Sequence, residues 1–179
     1  MIYQPSEDSY LLSETLKKYL KDKPKNIKFL DMGSGSGIQA KTCRELGFSD
    51  ILTADINPEA ISHLKKQGFK TIKTDLFSHI EDKFNIIIFN PPYLPEDKRE
   101  PEDSKLATTA GKKGYEIIIE FLKQAKSHLS NNGEMLLLFS SLSKPSVIKK
   151  KAKELGYTLN LLNKSRLFFE ELYVYKLNR

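Results

Sequence analysis

Leu12, Leu16 and Leu20 recur at intervals of four behind the cap-type and acidic run Ser6-Glu7-Asp8-Ser9. This spacing predicts a helix over residues 7–21, which Asp22-Lys23-Pro24 ends. Beyond it, short apolar stretches at 27–31, 51–55, 69–74, 84–89 and 134–140 predict strands, and amphipathic stretches at 38–46, 58–67, 115–129 and 145–155 predict helices. Two further strand-like stretches, 158–163 and 168–177, follow with no helix between them. Strands with long apolar runs need cover on both faces, so the expected fold class is α/β, a mostly parallel seven-stranded sheet between helices. A hairpin formed by the final pair would make the last strand antiparallel to the rest.

One segment breaks this weave. Residues 94–113 are charged, contain prolines and show neither period; a loop of that length in a compact domain is usually functional or disordered, and it reads here as a substrate-side loop. There is no internal repeat, and the whole of 1–179 reads as one domain opened by a helical segment over 1–24.

Composition narrows the classes. The longest apolar runs, 86–89 and 135–139, fall far short of the roughly 20 residues that a membrane-spanning helix requires. The first residues lack the basic and apolar regions of a secretory signal. Cys43 is the only cysteine, which rules out an internal disulfide or a multi-cysteine zinc site and fits a reducing, cytoplasmic compartment. The net charge of +6 comes from lysines spread along helices, with a denser group at Lys149, Lys150, Lys151 and Lys153. That group reads as a solvated helix face in preference to a polyanion-binding surface.

The chemistry lies at the predicted strand ends. Asp31-Met32-Gly33-Ser34-Gly35-Ser36-Gly37 follows the first of these strands, and its glycines let the backbone turn tightly and a ligand lie against it. The spacing is G-x-G-x-G rather than the dinucleotide G-x-G-x-x-G, and Asp31 would repel a pyrophosphate but suit an ammonium group. The alternative is a tight turn alone. Asp55, at the end of the second α/β strand, stands where nucleotide binders place a carboxylate that grips ribose hydroxyls; its other reading, a helix cap, falls equally to Asn57. Asp75 closes the next strand, where a carboxylate could accept from an exocyclic adenine amine, while Leu76 offers a backbone N–H and an apolar wall. Three acids at successive strand ends outline one nucleoside pocket.

The sharpest signal is Asn90-Pro91-Pro92-Tyr93, directly after the apolar strand 84–89. Two prolines fix the backbone and remove N–H donors, so this turn presents carbonyl acceptors in a rigid frame. The Asn90 side-chain oxygen and the Pro91 carbonyl can accept both hydrogens of a planar NH2 group, with Tyr93 lying over its plane. This arrangement suits methyl transfer to nitrogen by positioning and preorganised acceptors.

Together these residues resemble the HemK/PrmC-type protein-glutamine N5-methyltransferases, within the Rossmann-like class I methyltransferases, over nearly the whole chain. Tyr3, Pro5, Glu7, Asp8 and Ser9, followed by Leu11-Leu12, resemble the opening of the short archaeal and eukaryotic branch. The resemblance implies S-adenosylmethionine as cofactor and S-adenosylhomocysteine as product. It places Ser9, Asp31, Gly33, Gly35, Gly37, Asp55, Ile56, Asp75, Leu76 and Asn90 at the cofactor, and Asn90, Pro91, Pro92 and Tyr93 at the substrate amide. It implies as substrate the Gly-Gly-Gln glutamine of a class 1 release factor in translation termination, and a small zinc-binding activator subunit as partner. Two positions depart from the family: Ala110-Gly111 replaces an adjacent glycine pair, and Ser34 stands where Cys or Thr is frequent.

The rival enzyme reading is an adenine-N6 or guanine-N2 methyltransferase acting on DNA or RNA, since the turn suits any planar NH2. Such enzymes extrude a base and usually carry an added recognition module, and none is visible here. A non-catalytic cofactor-binding scaffold and a nicotinamide-dependent dehydrogenase are disfavoured by the intact acidic trio and the glycine spacing.

Overall fold

The computed structural model describes residues 2–93 and 114–179. The loop expected at 94–113, with Ala110, lies outside them. Among the described residues the elements run α1 (Glu7–Tyr19), β1 (Phe29–Met32), α2 (Ile38–Glu45), β2 (Ile51–Asp55), α3 (Pro58–Lys66), β3 (Lys70–Lys73), β4 (Phe84–Phe89), α4 (Glu116–Ala125), β5 (Leu129–Ser140), α5 (Pro145–Glu154), β6 (Thr158–Arg166) and β7 (Glu171–Asn178). Two 3₁₀ turns, Lys126–His128 and Ser141–Ser143, bracket β5.

The strands form one seven-stranded sheet in the order β3-β2-β1-β4-β5-β7-β6. From β3 to β5 every pairing is parallel. β7 enters antiparallel between β5 and β6, as the hairpin pattern required. Alternation along the central strands splits the core into two. Leu30, Ile87, Phe89, Met135 and Leu137 face Ile118, Phe121 and Leu122 of α4 and Ile148 and Ala152 of α5. Phe29, Ile86, Ile88, Leu136 and Leu138 face Leu12 and Leu16 of α1, Ala40 and Cys43 of α2, and Leu64 of α3. Burying a side chain such as Phe121 or Leu16 completely contributes about 1.5–3 kcal/mol, so these facing sets supply much of the drive that holds helices to both sides.

Several boundaries differ from the pattern in the chain, and three of them have a visible cause. β1 starts at Phe29, because the Lys28 N–H donates to the Asn85 side-chain oxygen (2.8 Å) and the Lys28 carbonyl accepts from both Asn85 and Ile86. The helix expected to reach 129 ends at Ala125, and fully buried Leu129 instead pairs with Phe84 and opens β5. The register then shifts so that Ile86 meets Glu134, with Ser130 to Gly133 forming an irregular, bulged part of β5. In the final hairpin, Leu167 N–H donates to the Glu170 carbonyl (2.8 Å), so Phe168 and Phe169 belong to the turn and β7 begins at Glu171.

The order reverses between β1 and β4: the chain runs outward one way from β1 through β2 to β3, and the other way from β4 onward. Connections leaving these two neighbours diverge, and ligands of open α/β sheets bind in the crevice this leaves at the carboxyl ends of the strands.

Candidate functional site

That crevice holds a cavity of about 220 Å³. It takes lining from the ends of β1 and β4, the glycine loop, the segments after β2 and β3, and the start of α1. Ser9, Asp31, Gly33, Gly35, Asp55, Ile56, Asp75, Leu76, Asn90, Pro91, Pro92 and Tyr93 all line it. Gly37 does not. It is the N-cap of α2 at φ 79°, and a Cβ there would come within 2.7 Å of the Leu64 side chain, so its missing side chain serves close packing of α2 on α3.

The glycine loop is held against the end of β2. Gly33 and Gly35 have φ of 61° and 51°, and a Cβ on Gly33 would meet the Phe89 ring at 3.3 Å. Ser34 Oγ donates to the Asp31 carbonyl (2.6 Å) and accepts the Ala54 N–H (3.1 Å), stitching β1 to β2 where the sheet opens. Asp55 accepts the Gly35 N–H on one carboxylate oxygen and the Asn57 N–H on the other, each at 2.8 Å. A carboxylate oxygen has two lone pairs, so both oxygens keep one for a ligand. Asn57 takes the capping role itself, its side chain accepting the Glu59 N–H at 2.9 Å.

Asp31 is buried and accepts the Ala40 N–H at 3.2 Å. Burial, which disfavours the charged form, and then the nearby charge of Asp55 hold its carboxyl up at about 7. Asp75 is exposed at the rim. Leu76 beside it sits at φ 45°, a left-handed conformation that costs a non-glycine residue about 1 kcal/mol or more and is held by Thr74 Oγ1 donating to the Leu76 carbonyl (3.1 Å). Four carboxylates, of Asp8, Asp31, Asp55 and Asp75, thus line one cavity, a setting that favours a cationic ligand over a polyphosphate.

At the other end stands Asn90, just past β4. Its Nδ2 donates to Asp8 Oδ2 at 2.9 Å, which fixes the orientation of the amide. Its Oδ1 is buried and has no hydrogen-bond partner among the described residues. A buried acceptor left without a donor costs roughly 1–3 kcal/mol, which a ligand N–H arriving there would recover. Asp8, in the first turn of α1, is itself buried, and it also accepts from Tyr3 Oη (3.1 Å) and the Ser9 N–H (2.7 Å). Tyr93 packs against both cores, and its carbonyl accepts from Ser143 Oγ at 2.9 Å, which pins the turn to the end of β5. Burial first, then the charge of Asp8, raises its phenol well above the ordinary range and keeps it neutral.

Asp8 and Gln39 are among the lining residues that escaped the pattern. Asp8 read as a helix-start acid, and only its partner 82 residues away shows it to be the clamp of Asn90. Gln39, in the first turn of α2, donates to the Ser9 carbonyl (2.9 Å) and leaves its Oε1 buried and unpartnered among the described residues; no local signal distinguishes it from a surface helix residue.

Residues 7–158 match the family model for the methyltransferase small domain. A Methanocaldococcus jannaschii chain, whose name assigns it provisionally to the protein N5-glutamine methyltransferases, is 35% identical over 97% of this chain and 89% of its own. A Lactococcus lactis release factor glutamine methyltransferase is 29% identical over 63% of this chain, and the match spans about half (47%) of that enzyme. Among solved structures, the E. cuniculi Mtq2-Trm112 complex, described as responsible for methylation of the eRF1 translation termination factor, matches with a TM-score of 0.81 at 24% identity, covering 99% of this chain and 98% of that one.

Proposed function

The chain belongs to the small-domain methyltransferase family, and from that premise we propose that it methylates the side-chain amide nitrogen of a protein glutamine, in the Gly-Gly-Gln loop of a class 1 release factor, with S-adenosylmethionine as donor. The observation that carries this reading is Asn90 Oδ1: a buried acceptor with no partner among the described residues, oriented by Asp8, on a turn whose two prolines offer no competing N–H. A primary amide supplies the donors that this turn lacks. The names of the M. jannaschii and L. lactis relatives and the activity described for Mtq2 support glutamine over a nucleobase.

The cavity fits the cofactor. Gly33 leaves room that a side chain would fill, Asp55 keeps lone pairs for two ribose hydroxyls, Asp75 accepts from the adenine amine, and Ile56 and Leu76 supply apolar walls. Asp31 takes the methionyl ammonium, and Ser9 closes this end of the cavity. When bound, S-adenosylmethionine supplies an electrophilic sulfonium methyl.

The chain's own residues then act on the amide. Asn90 Oδ1 and the Pro91 carbonyl accept its two N–H groups and hold the nitrogen in one plane, and Tyr93 covers that plane. An amide nitrogen is a poor nucleophile because its lone pair is delocalised. Its N–H bonds polarise as the nitrogen gains the methyl group, and one of the two protons then leaves to water, so acceptors fixed beforehand stabilise the transition state more than the ground state. Neutral Tyr93 adds contact without competing as an anion.

A small partner subunit of the Trm112 kind belongs to the same proposal, supported by the complex in which Mtq2 was solved. The test is transfer of labelled methyl from S-adenosylmethionine to purified release factor, with and without such a subunit. The label should appear on the Gly-Gly-Gln glutamine and be absent from a Gln-to-Asn factor. Label in DNA or RNA instead would refute the assignment.

A further inference from the structure

The most exposed apolar side chains of the described residues are Phe168 and Phe169, 92% and 86% accessible in the turn between β6 and β7. Their rings stand edge to face with centroids 4.6 Å apart, so each stiffens the other while both face water. Such a pair is costly to leave uncovered on a soluble surface and is typical of a residue cluster that anchors a partner.

Its position decides what the partner is. The turn is tied to the end of β5 on both sides of the pair's C-terminal flank: Ser140 Oγ donates to the Glu170 carboxylate, and the Glu171 N–H donates to Ser141 Oγ at 3.0 Å. Two residues on, Ser143 Oγ donates to the Tyr93 carbonyl. A short hydrogen-bonded path therefore runs from the aromatic tip, through the 3₁₀ turn, to the turn that carries Asn90. Leu142, within that 3₁₀ turn, is itself 43% accessible and extends the apolar rim. A cavity of about 220 Å³ shared with a nucleoside admits little more than a side chain of a macromolecule, so the rest of that macromolecule must lie over the rim. Lys164 and Arg166 precede the pair as Glu170 and Glu171 follow it, so the charges flanking the tip balance and build no basic field of the kind that gathers a polyphosphate.

We propose that Phe168 and Phe169, with Leu142, form the docking surface for the folded protein that carries the target glutamine. The inference rests on the reading of the target as a protein glutamine. It assigns these residues to recognition, with no part in the chemistry at Asn90.

The test is the double variant Phe168→Ser/Phe169→Ser, assayed on intact release factor under the conditions that support the wild type. KM for the factor should rise at least tenfold, while kcat stays within threefold, the S-adenosylmethionine Kd from calorimetry is unchanged, and the thermal midpoint is preserved. An unchanged KM, or a fall confined to kcat, would overturn the proposal. So would a wild-type dimer that the variant dissociates, since the pair would then be covered by a second copy. Inhibition of the wild type by single-stranded RNA that the variant escapes would assign the pair to base stacking instead. If the wild type itself transfers no methyl to intact factor, the fault lies with the proposed function, and this inference falls with it.

Discussion

Replacing Asp8 by Asn tests the site at its least obvious point. Asp8 Oδ1 accepts from Tyr3 Oη and the Ser9 N–H, and Oδ2 accepts from Asn90 Nδ2. An asparagine at position 8 keeps its oxygen on the Ser9 N–H, where the backbone donor cannot move, and presents NH2 to the NH2 of Asn90. Two donors cannot face each other, so the Asn90 amide turns over and gives its Oδ1 to the new side chain. The acceptor that carries the proposed chemistry is thereby withdrawn, although no atom of Asn90 has changed. Removing one preorganised hydrogen-bonding group at a transition state costs about 10²–10³ in kcat, or roughly 2.7–4 kcal/mol. The expected result for Asp8→Asn is a fall in kcat of about 10²-fold on release factor, with the S-adenosylmethionine Kd within threefold of wild type. Asn90→Ala should show a fall of similar size. Because the two residues act as one unit, the double variant should be little worse than either single one. Turnover of Asp8→Asn within threefold of wild type, or fully additive losses in the double variant, would refute the clamp.

The remaining predictions concern the cofactor end. Asp55→Ala removes the acceptor of the Gly35 and Asn57 N–H groups together with the proposed ribose contacts, and should weaken S-adenosylmethionine binding about 10-fold or more by calorimetry. Asp31 has a folded-state carboxyl near 7 against an ordinary value of 3.8, so the folded state holds its proton more tightly than the unfolded chain does. Its contribution to stability is full below about 4 and is lost as pH rises to about 7; Asp31→Asn should flatten that part of the ligand-free profile in thermal melts. Binding a cationic donor beside Asp31 should release a proton near pH 6, seen as a dependence of binding enthalpy on buffer ionisation. Gly37→Ala forces a side chain into a left-handed backbone and against Leu64, and should cost about 1–3 kcal/mol in denaturant melts while leaving the cofactor Kd of the folded fraction unchanged.

Much of this molecule is readable in the chain because burial on both faces leaves a strong mark. The runs at 51–55 and 84–89 have no polar face to blur them, and both emerge as strands with those bounds. The chain also marks Asp55 and Asn90, since the first closes an apolar strand and the second directly follows one. Harder positions depend on partners remote in sequence. Phe168 and Phe169 carry the composition of a strand, yet the Leu167 to Glu170 hydrogen bond makes them a turn. Leu129 continues a helical apolar pattern, and only Phe84, pairing beside it, recruits it to β5. Gly37 shares a motif with Gly33 but answers to Leu64, a contact no spacing rule contains.

The hydrogen bond between Asp8 and Asn90 also bears on the order of folding. β1 to β3 associate between segments close along the chain, whereas this contact closes a separation of 82 residues and depends on the first turn of α1, where helices fray most readily. Refolding should therefore restore ligand binding before it restores turnover, because the glycine loop and Asp55 need only β1 and β2. Transient loosening of that first helical turn would free the amide at position 90 to rotate, which makes the helix end a conformational checkpoint for catalysis.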